Sequence, residues 1–312
     1  MDRHKIVNII SSCRRQKGVR QADLCRGICS VTSYSRIESG EAVIPLVMAQ
    51  TFLERLGTDP GQLEQLLEGE DYGCHQKRQD IEAALRDGRA AQAEQLLAAY
   101  KEAAGEDKLE IQYVKYCQAR IGRLRMRQDA SLDLEARGQL AGDTERLLQE
   151  AESLTIPKRG RGMLLSRVEL GILLAETEGI GLDEMQNIQD FVREYYNMEW
   201  KEEYLPQVHL KYANLLAGEG KYGRALAEIQ RGLASVRSGE SYGHCADLYF
   251  LSAQIAGRMG WERLGKEEQK ELARKCWRAY SLYSLDGNPR AEAVREYMET
   301  SGLMALAPES LL

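Results

Sequence analysis

Apolar residues recur along this chain at the three-and-four spacing of amphipathic helices, and few stretches show the two-residue alternation of a strand. Ile6, Ile9, Ile10 and Cys13 form the first such stripe and predict a helix from His4 to Lys17 that Gly18 ends. Leu24 and Ile28, then Tyr34 and Ile37, predict two short helices within Gln21–Gly40, each with one face buried and the other free. Gly27 stands where the chain must reverse between them, a place that favours positive φ. Ser30 is the expected N-cap of the second helix, and Gly40 its closing C′ residue. Met48, Phe52, Leu53 and Leu56 then cover this pair of helices, before Gly57 and Asp59-Pro60 break the chain ahead of a last short helix.

The run Glu68–Gln76, EGEDYGCHQ, is polar and contains glycine, so it is the expected linker between a domain at 1–67 and a second at 77–312. Beyond it the pattern predicts a succession of helix pairs. Gln79–Arg86 and Ala90–Ala103 flank Asp87-Gly88-Arg89, and Lys108–Arg127, Leu132–Leu154, Gly162–Glu178 and Leu182–Met198 follow. The clearest unit is Leu205–Val236, and Glu267–Leu285 with Arg290–Ser301 would cap the stack.

Composition agrees with this all-helical reading. The chain has 312 residues, enough for two domains, and only 6 prolines, with Ala, Leu, Glu, Arg and Gln abundant. No apolar run is long enough to span a membrane, and MDRHKIVNII lacks a signal-peptide core, which makes a cytoplasmic protein the expectation. The 7 cysteines are scattered without CxxC pairs, so no disulfide framework, structural zinc or cofactor is expected. No HExxH, GxSxG or phosphate-binding glycine loop is present, and an enzyme is not expected. Residues 1–45 carry 8 Lys/Arg against 4 Asp/Glu, a net of +4 in a chain whose total is −6. A basic N-terminal module on an acidic body suits phosphate contact at one end.

The residues Gln-x-x-Leu, Gly-Ile-Cys-Ser and Ser-Arg-Ile-Glu-x-Gly within Gln21–Gly40 resemble the phage-repressor (XRE) type of helix-turn-helix domain. More narrowly, LCRGICSVTSYSRIESG is similar to the N-terminal domains of the peptide-sensing Rgg/PlcR/PrgX (RRNPP) regulators. Leu205–Val236 is similar to a tetratricopeptide (TPR) repeat, with Ala213, Gly220, Tyr222, Ala225 and Ile229 at the repeat's offsets. The fold class implied is all-α: an N-terminal phage-repressor-like helix-turn-helix domain followed by a right-handed TPR-like α-solenoid of about five degenerate repeats.

The resemblance implies site residues. Gln21 and its helix N-terminus would point at a phosphate of an operator in double-stranded DNA, with Ser30 capping the recognition helix. Val31, Thr32 and Ser33 would occupy that helix's exposed first turn, and Arg36 one turn further would meet either guanine or a phosphate. Arg14 and Glu38 match positions that pair structurally in phage repressors. In the repeats, Asn214 would project into a groove and grip a peptide backbone, with Gln254 and Phe250 at matching positions in the next unit. Tyr116, Arg120 and Arg123 share one helical face, either as a groove that pairs with a peptide carboxylate or as core and solvated surface. The function implied is a homodimeric, quorum-sensing transcriptional regulator whose repeats bind a short signalling peptide; the alternative is that the repeats dock a protein partner of anti-repressor type.

Overall fold

Among the described residues every regular element is helical, in a computed structural model that describes residues 3–67, 69–129, 131–156, 162–176, 179–236, 242–260, 265–285 and 287–306. The chain divides into two compact units, Met1–Ile180 and Gly181–Leu312.

The first unit opens with α1 (Arg3–Gln16), α2 (Gln21–Leu24), α3 (Val31–Glu38) and α4 (Leu46–Arg55), followed by a 3-10 turn over Pro60–Leu66. Their core is the apolar set that the spacing predicts: Ile6, Ile10, Leu24, Ile28, Tyr34, Ile37, Phe52, Leu53 and Leu56 are all buried. Val7 is buried where Ile9 was expected, and Ile9 and Cys13 are half-buried. Tyr34 stands edge-on to Phe52, with ring centroids 5.2 Å apart, and so seats α3 on α4. Gly27 (φ 75°) and Gly40 (φ 80°) take the left-handed backbone conformation that their turns require.

Within the expected linker at 68–76, residues 69–76 are helical. Gly69–Arg86 is a single helix, α5, whose first turns lie against the N-terminal domain. His75 is buried, with its Nδ1 2.8 Å from Gln50 Nε2 on α4, and Arg3 pairs with Asp71 at 3.3 Å. A polar segment can pass for a linker when its polar side chains are spent on long-range hydrogen bonds that sequence spacing does not display.

α6 (Ala90–Ala103), α7 (Lys108–Gln128), α8 (Leu134–Thr155) and α9 (Arg167–Ala175) complete this unit, each packed on its predecessor. α9 starts later than the pattern predicts because Ser166 caps it: its hydroxyl accepts from the Glu169 N–H, and Glu169 accepts from the Ser166 N–H. The end predicted at Glu178 lies outside the described residues.

The second unit holds α10 (Leu182–Tyr195), α11 (Met198–Gly218), α12 (Tyr222–Ser235), α13 (Tyr242–Met259), α14 (Lys266–Leu285) and α15 (Arg290–Thr300), again stacked in chain order. The repeat-like segment is a helix pair as predicted, with Ala213, Ala225 and Ile229 buried at its crossing. Its first helix begins at Met198, ahead of the expected Leu205, because Asn197 accepts from the Trp200 N–H and caps it there. No helix among the described residues is long and apolar enough to cross a membrane.

Candidate nucleic-acid interface

α3 is built as a short helix with one face spent and one face free. Ser30 accepts from the Ser33 N–H at 3.0 Å, and the two hydroxyls lie 2.8 Å apart, which commits both serines to capping. Tyr34 and Ile37 face the core, while Val31, Thr32, Ser35 and Arg36 are exposed. Val31 is 45% exposed, an apolar group suited to a thymine methyl, and the Arg36 side chain is 62% exposed with Glu41 no nearer than 3.8 Å. Ser35 was missed by sequence reasoning, although its place four residues after Val31 on the free face was legible from helical spacing.

Gln21 is half-buried, and its amide nitrogen donates to Glu38. The same carboxylate accepts from Arg14 Nε at 3.1 Å and Nη2 at 2.9 Å, so the Arg14–Glu38 pairing is present and Gln21 joins it. Burial pushes the Glu38 carboxyl up, but hydrogen bonds from Gln21 and Arg14 outweigh it and hold the group below the usual carboxylate range. Gln21 thus ties the start of α2 to the end of α3. Beside it, Asp23 holds two exposed guanidiniums, Arg20 and Arg26, each at 2.7 Å.

The turn between α2 and α3 is held from behind. Arg55, at the end of α4 and 2% exposed, donates through Nη1 to the carbonyls of Leu24 (2.8 Å) and Arg26 (2.7 Å). Its other nitrogens form a two-point pair with the fully buried Glu169 on α9, Nε at 2.9 Å from Oε2 and Nη2 on Oε1. Glu169 also accepts from Thr155 at 2.6 Å and from the Ser166 N–H at 2.8 Å. Burial pushes its carboxyl up, and the Arg55 charge with these hydrogen bonds brings it back below the ordinary range. Lys108, opening α7, donates to the Gly27 carbonyl at 2.5 Å. Nothing in the sequence spacing signalled these contacts, since Arg55 and Glu169 lie 114 positions apart.

The residues expected to hold a peptide come from both units. Tyr116, Arg120 and Arg123 lie in the first unit, and Asn214, Phe250 and Gln254 in the second. Arg120 pairs with Glu82 at 2.6 Å and stacks over Tyr116, while Arg123 donates to the Ala175 carbonyl at the end of α9. Both guanidiniums therefore tie α7 to its neighbours, Arg120 to α5 and Arg123 to the end of α9. Phe250 is half-buried and edge-on to Tyr297 at 5.6 Å, part of the packing of α15 on α13. Asn214 is exposed, its Nδ2 donating to the Leu210 carbonyl of its own helix at 3.0 Å, and Gln254 is half-buried on α13, which packs against α11. No group of three or more described His, Cys, Asp and Glu residues could hold a metal ion.

Residues 10–63 match the family model described as Helix-turn-helix, a span running from α1 through the 3-10 turn. The N-terminal segment is similar to the helix-turn-helix family over these residues. A search of curated proteins finds no match. Among solved structures the chain is similar to Bacillus thuringiensis PlcR in complex with the peptide PapR7 and DNA, at 15% identity over 95% of this chain and 98% of that one, with a TM-score of 0.46. It is also similar to apo ComR from S. thermophilus, at 15% identity over 96% and 99% with a TM-score of 0.48. The apo competence regulator ComR from Streptococcus vestibularis gives 15% identity, 96% and 99%, and 0.45.

Proposed function

We propose that this protein is a transcriptional regulator that binds an operator duplex as a homodimer, and that its helical repeats take up a short signalling peptide that shifts the dimer between DNA-binding states. The observation that carries the reading is the free face of α3, where Val31, Thr32, Ser35 and Arg36 stand exposed on a helix whose other face is locked to α4. A helix so presented fits the major groove, with two copies meeting half-sites about one DNA turn apart.

The peptide half of the reading rests on Asn214 and Gln254, carboxamides on α11 and α13, which lie against each other as the first helices of successive pairs. A carboxamide donates and accepts at once, so it can hold a peptide's backbone independently of its sequence. The Asn214 bond to Leu210 is an exposed contact that a peptide carbonyl can replace. A peptide that favours one arrangement of these helices shifts the population of DNA-competent dimers by its differential affinity for the two states.

The test is calorimetric titration of the whole protein with synthetic peptides from short reading frames beside its gene, repeated with operator DNA. Saturable binding that shifts DNA affinity, and that Asn214→Ala abolishes without altering ligand-free DNA binding, is the expected result. Tight DNA binding with no response to any such peptide would instead favour a protein partner for the repeats, to be sought by pull-down.

A further inference from the structure

The turn that precedes the recognition helix has carbonyls that its own backbone does not satisfy. α2 is a single turn of four residues, too short to provide intrahelical donors for its last carbonyls. Cys25 accepts from the N–H groups of Ile28 (2.9 Å) and Cys29 (3.1 Å), so that carbonyl is filled locally. The carbonyls of Leu24, Arg26 and Gly27 are filled by cations instead: Arg55 takes the first two and Lys108 the third. Arg55 comes from the helix-turn-helix domain, but it is aimed by Glu169 on α9. Lys108 belongs to α7 outright. A network continues behind Glu169 through Thr155 to Gln112, which donates to Thr155 at 2.6 Å and to the Ala151 carbonyl at 2.9 Å.

We propose that Lys108 and Glu169 are positioning residues for DNA recognition, Lys108 directly and Glu169 through Arg55, which fix the α2–α3 turn and thereby the direction in which α3 leaves Ser30. This rests on the DNA-binding reading above and deepens it. Two points favour positioning over mere stability. The contacts converge on three backbone carbonyls of the turn, those of Leu24, Arg26 and Gly27, rather than on apolar side chains of the core. Cations placed at the end of a helix also meet the partial negative charge of its carbonyls, where geometry decides their worth. The helix-turn-helix is therefore incomplete without side chains contributed from well outside residues 10–63.

The experiment uses the full chain, a duplex selected from a random-sequence library by the unaltered protein, and amide hydrogen exchange. Lys108→Met is the principal variant because Lys108 is only partly buried and its loss leaves the buried pair intact. We expect it to melt within a few degrees of the parent while losing about tenfold in DNA affinity, roughly 1.4 kcal/mol. Exchange should quicken at Ile28 and Cys29 but not in α4, and Lys108→Arg should restore both readouts. The double variant Arg55→Met/Glu169→Leu, which replaces a buried pair by apolar groups, should fold and still bind DNA weakly. Unchanged affinity and unchanged turn exchange in Lys108→Met would overturn the proposal, as would full DNA affinity in the double variant. Exchange that quickens uniformly along the chain would reduce these residues to ordinary stabilisers and also overturn it. If the parent selects no duplex, the DNA reading fails on its own, and turn-specific exchange still decides whether the two side chains hold the turn.

Discussion

Glu54 shows how a single side chain can set a pH dependence. It lies at the end of α4, accepts from the Arg167 N–H at 3.0 Å, and is pushed up to about 7 by burial, with the Arg167 charge opposing the shift. The folded state therefore keeps a proton that the unfolded chain releases at its ordinary value of 4.5, and stability falls as pH rises between those two values. Glu54→Gln keeps the acceptor and removes the titration. We expect it to melt higher than the parent at pH 8, by an amount on the order of 3 kcal/mol at most, and to match it near pH 4. A parent and variant whose melting temperatures stay parallel from pH 4 to 8 would refute this assignment. Arg36 supports a prediction of a different kind, because its exposed guanidinium has two possible DNA partners. Arg36→Ala should weaken binding by about 1–3 kcal/mol at one base pair if it reads guanine. If it touches a phosphate, the loss should be uniform across sequences and lower the salt slope by about 1. Affinities on single-base variants of the selected duplex at several salt concentrations separate the two outcomes, and no change in any of them removes Arg36 from the interface.

At the scale of the element, close helix approach is set by residues with no side chain. In α12, a Cβ added at Gly232 would lie 2.9 Å from His209 Cβ on α11 and 3.0 Å from Leu248 Cδ1 on α13. Both neighbours are buried, so Gly232→Ala should overpack three helices at a cost of about 1–3 kcal/mol, less about 1 kcal/mol returned by alanine's better helix propensity. A rise in melting temperature would show that the three helices can part far enough to accept the methyl group. This scale also marks where the sequence was readable. The caps Ser30 and Gly40 and the turn at Gly27 lie within one short motif, and the structure holds them where the pattern puts them; the Arg14–Glu38 pair, also present, was expected from the resemblance to phage repressors and not from spacing. The apolar stripes placed nearly every helix for the same reason, since period is a local property. What stayed hidden depends on partners far away in sequence. Arg120 and Arg123 do share a face, but only the fold shows that Glu82 and the Ala175 carbonyl consume them. EGEDYGCHQ looks like a linker until Gln50 and Arg3 are brought against it.

At the scale of the whole chain, buried carboxylates shifted in opposite directions titrate in different pH windows, and the first unit holds both kinds, Glu54 raised and Glu38 and Glu169 depressed. Glu54 belongs to Met1–Ile180 and favours folding as pH falls from about 7. In Gly181–Leu312, Glu228 on α12 is buried, with His209 Nδ1 at 2.7 Å, Gln189 Nε2 at 3.0 Å, and Arg231 paired to its other oxygen. Burial pushes its carboxyl up, but the hydrogen bonds from His209 and Gln189 with the neighbouring charges override that and bring it down to about 2. A depressed carboxylate stabilises the fold above its unfolded value of 4.5 and loses that contribution as pH falls toward 2. The contribution is on the order of 3 kcal/mol at most. The second unit can be followed by fluorescence because all 3 tryptophans, Trp200, Trp261 and Trp277, come after residue 180 in the sequence. Tryptophan fluorescence should therefore report a melting temperature that drops steeply from pH 5 to pH 3. Glu228→Gln should lower the fluorescence transition at pH 7 and flatten its acid slope, because the group that titrates has gone and His209 and Gln189 are left sharing one neutral acceptor. If the variant keeps the parent's slope, the acid sensitivity of this unit lies elsewhere, and Asp247, which burial pushes up and which His244, Arg290 and Tyr283 together hold below its ordinary value, is the next carboxylate to replace.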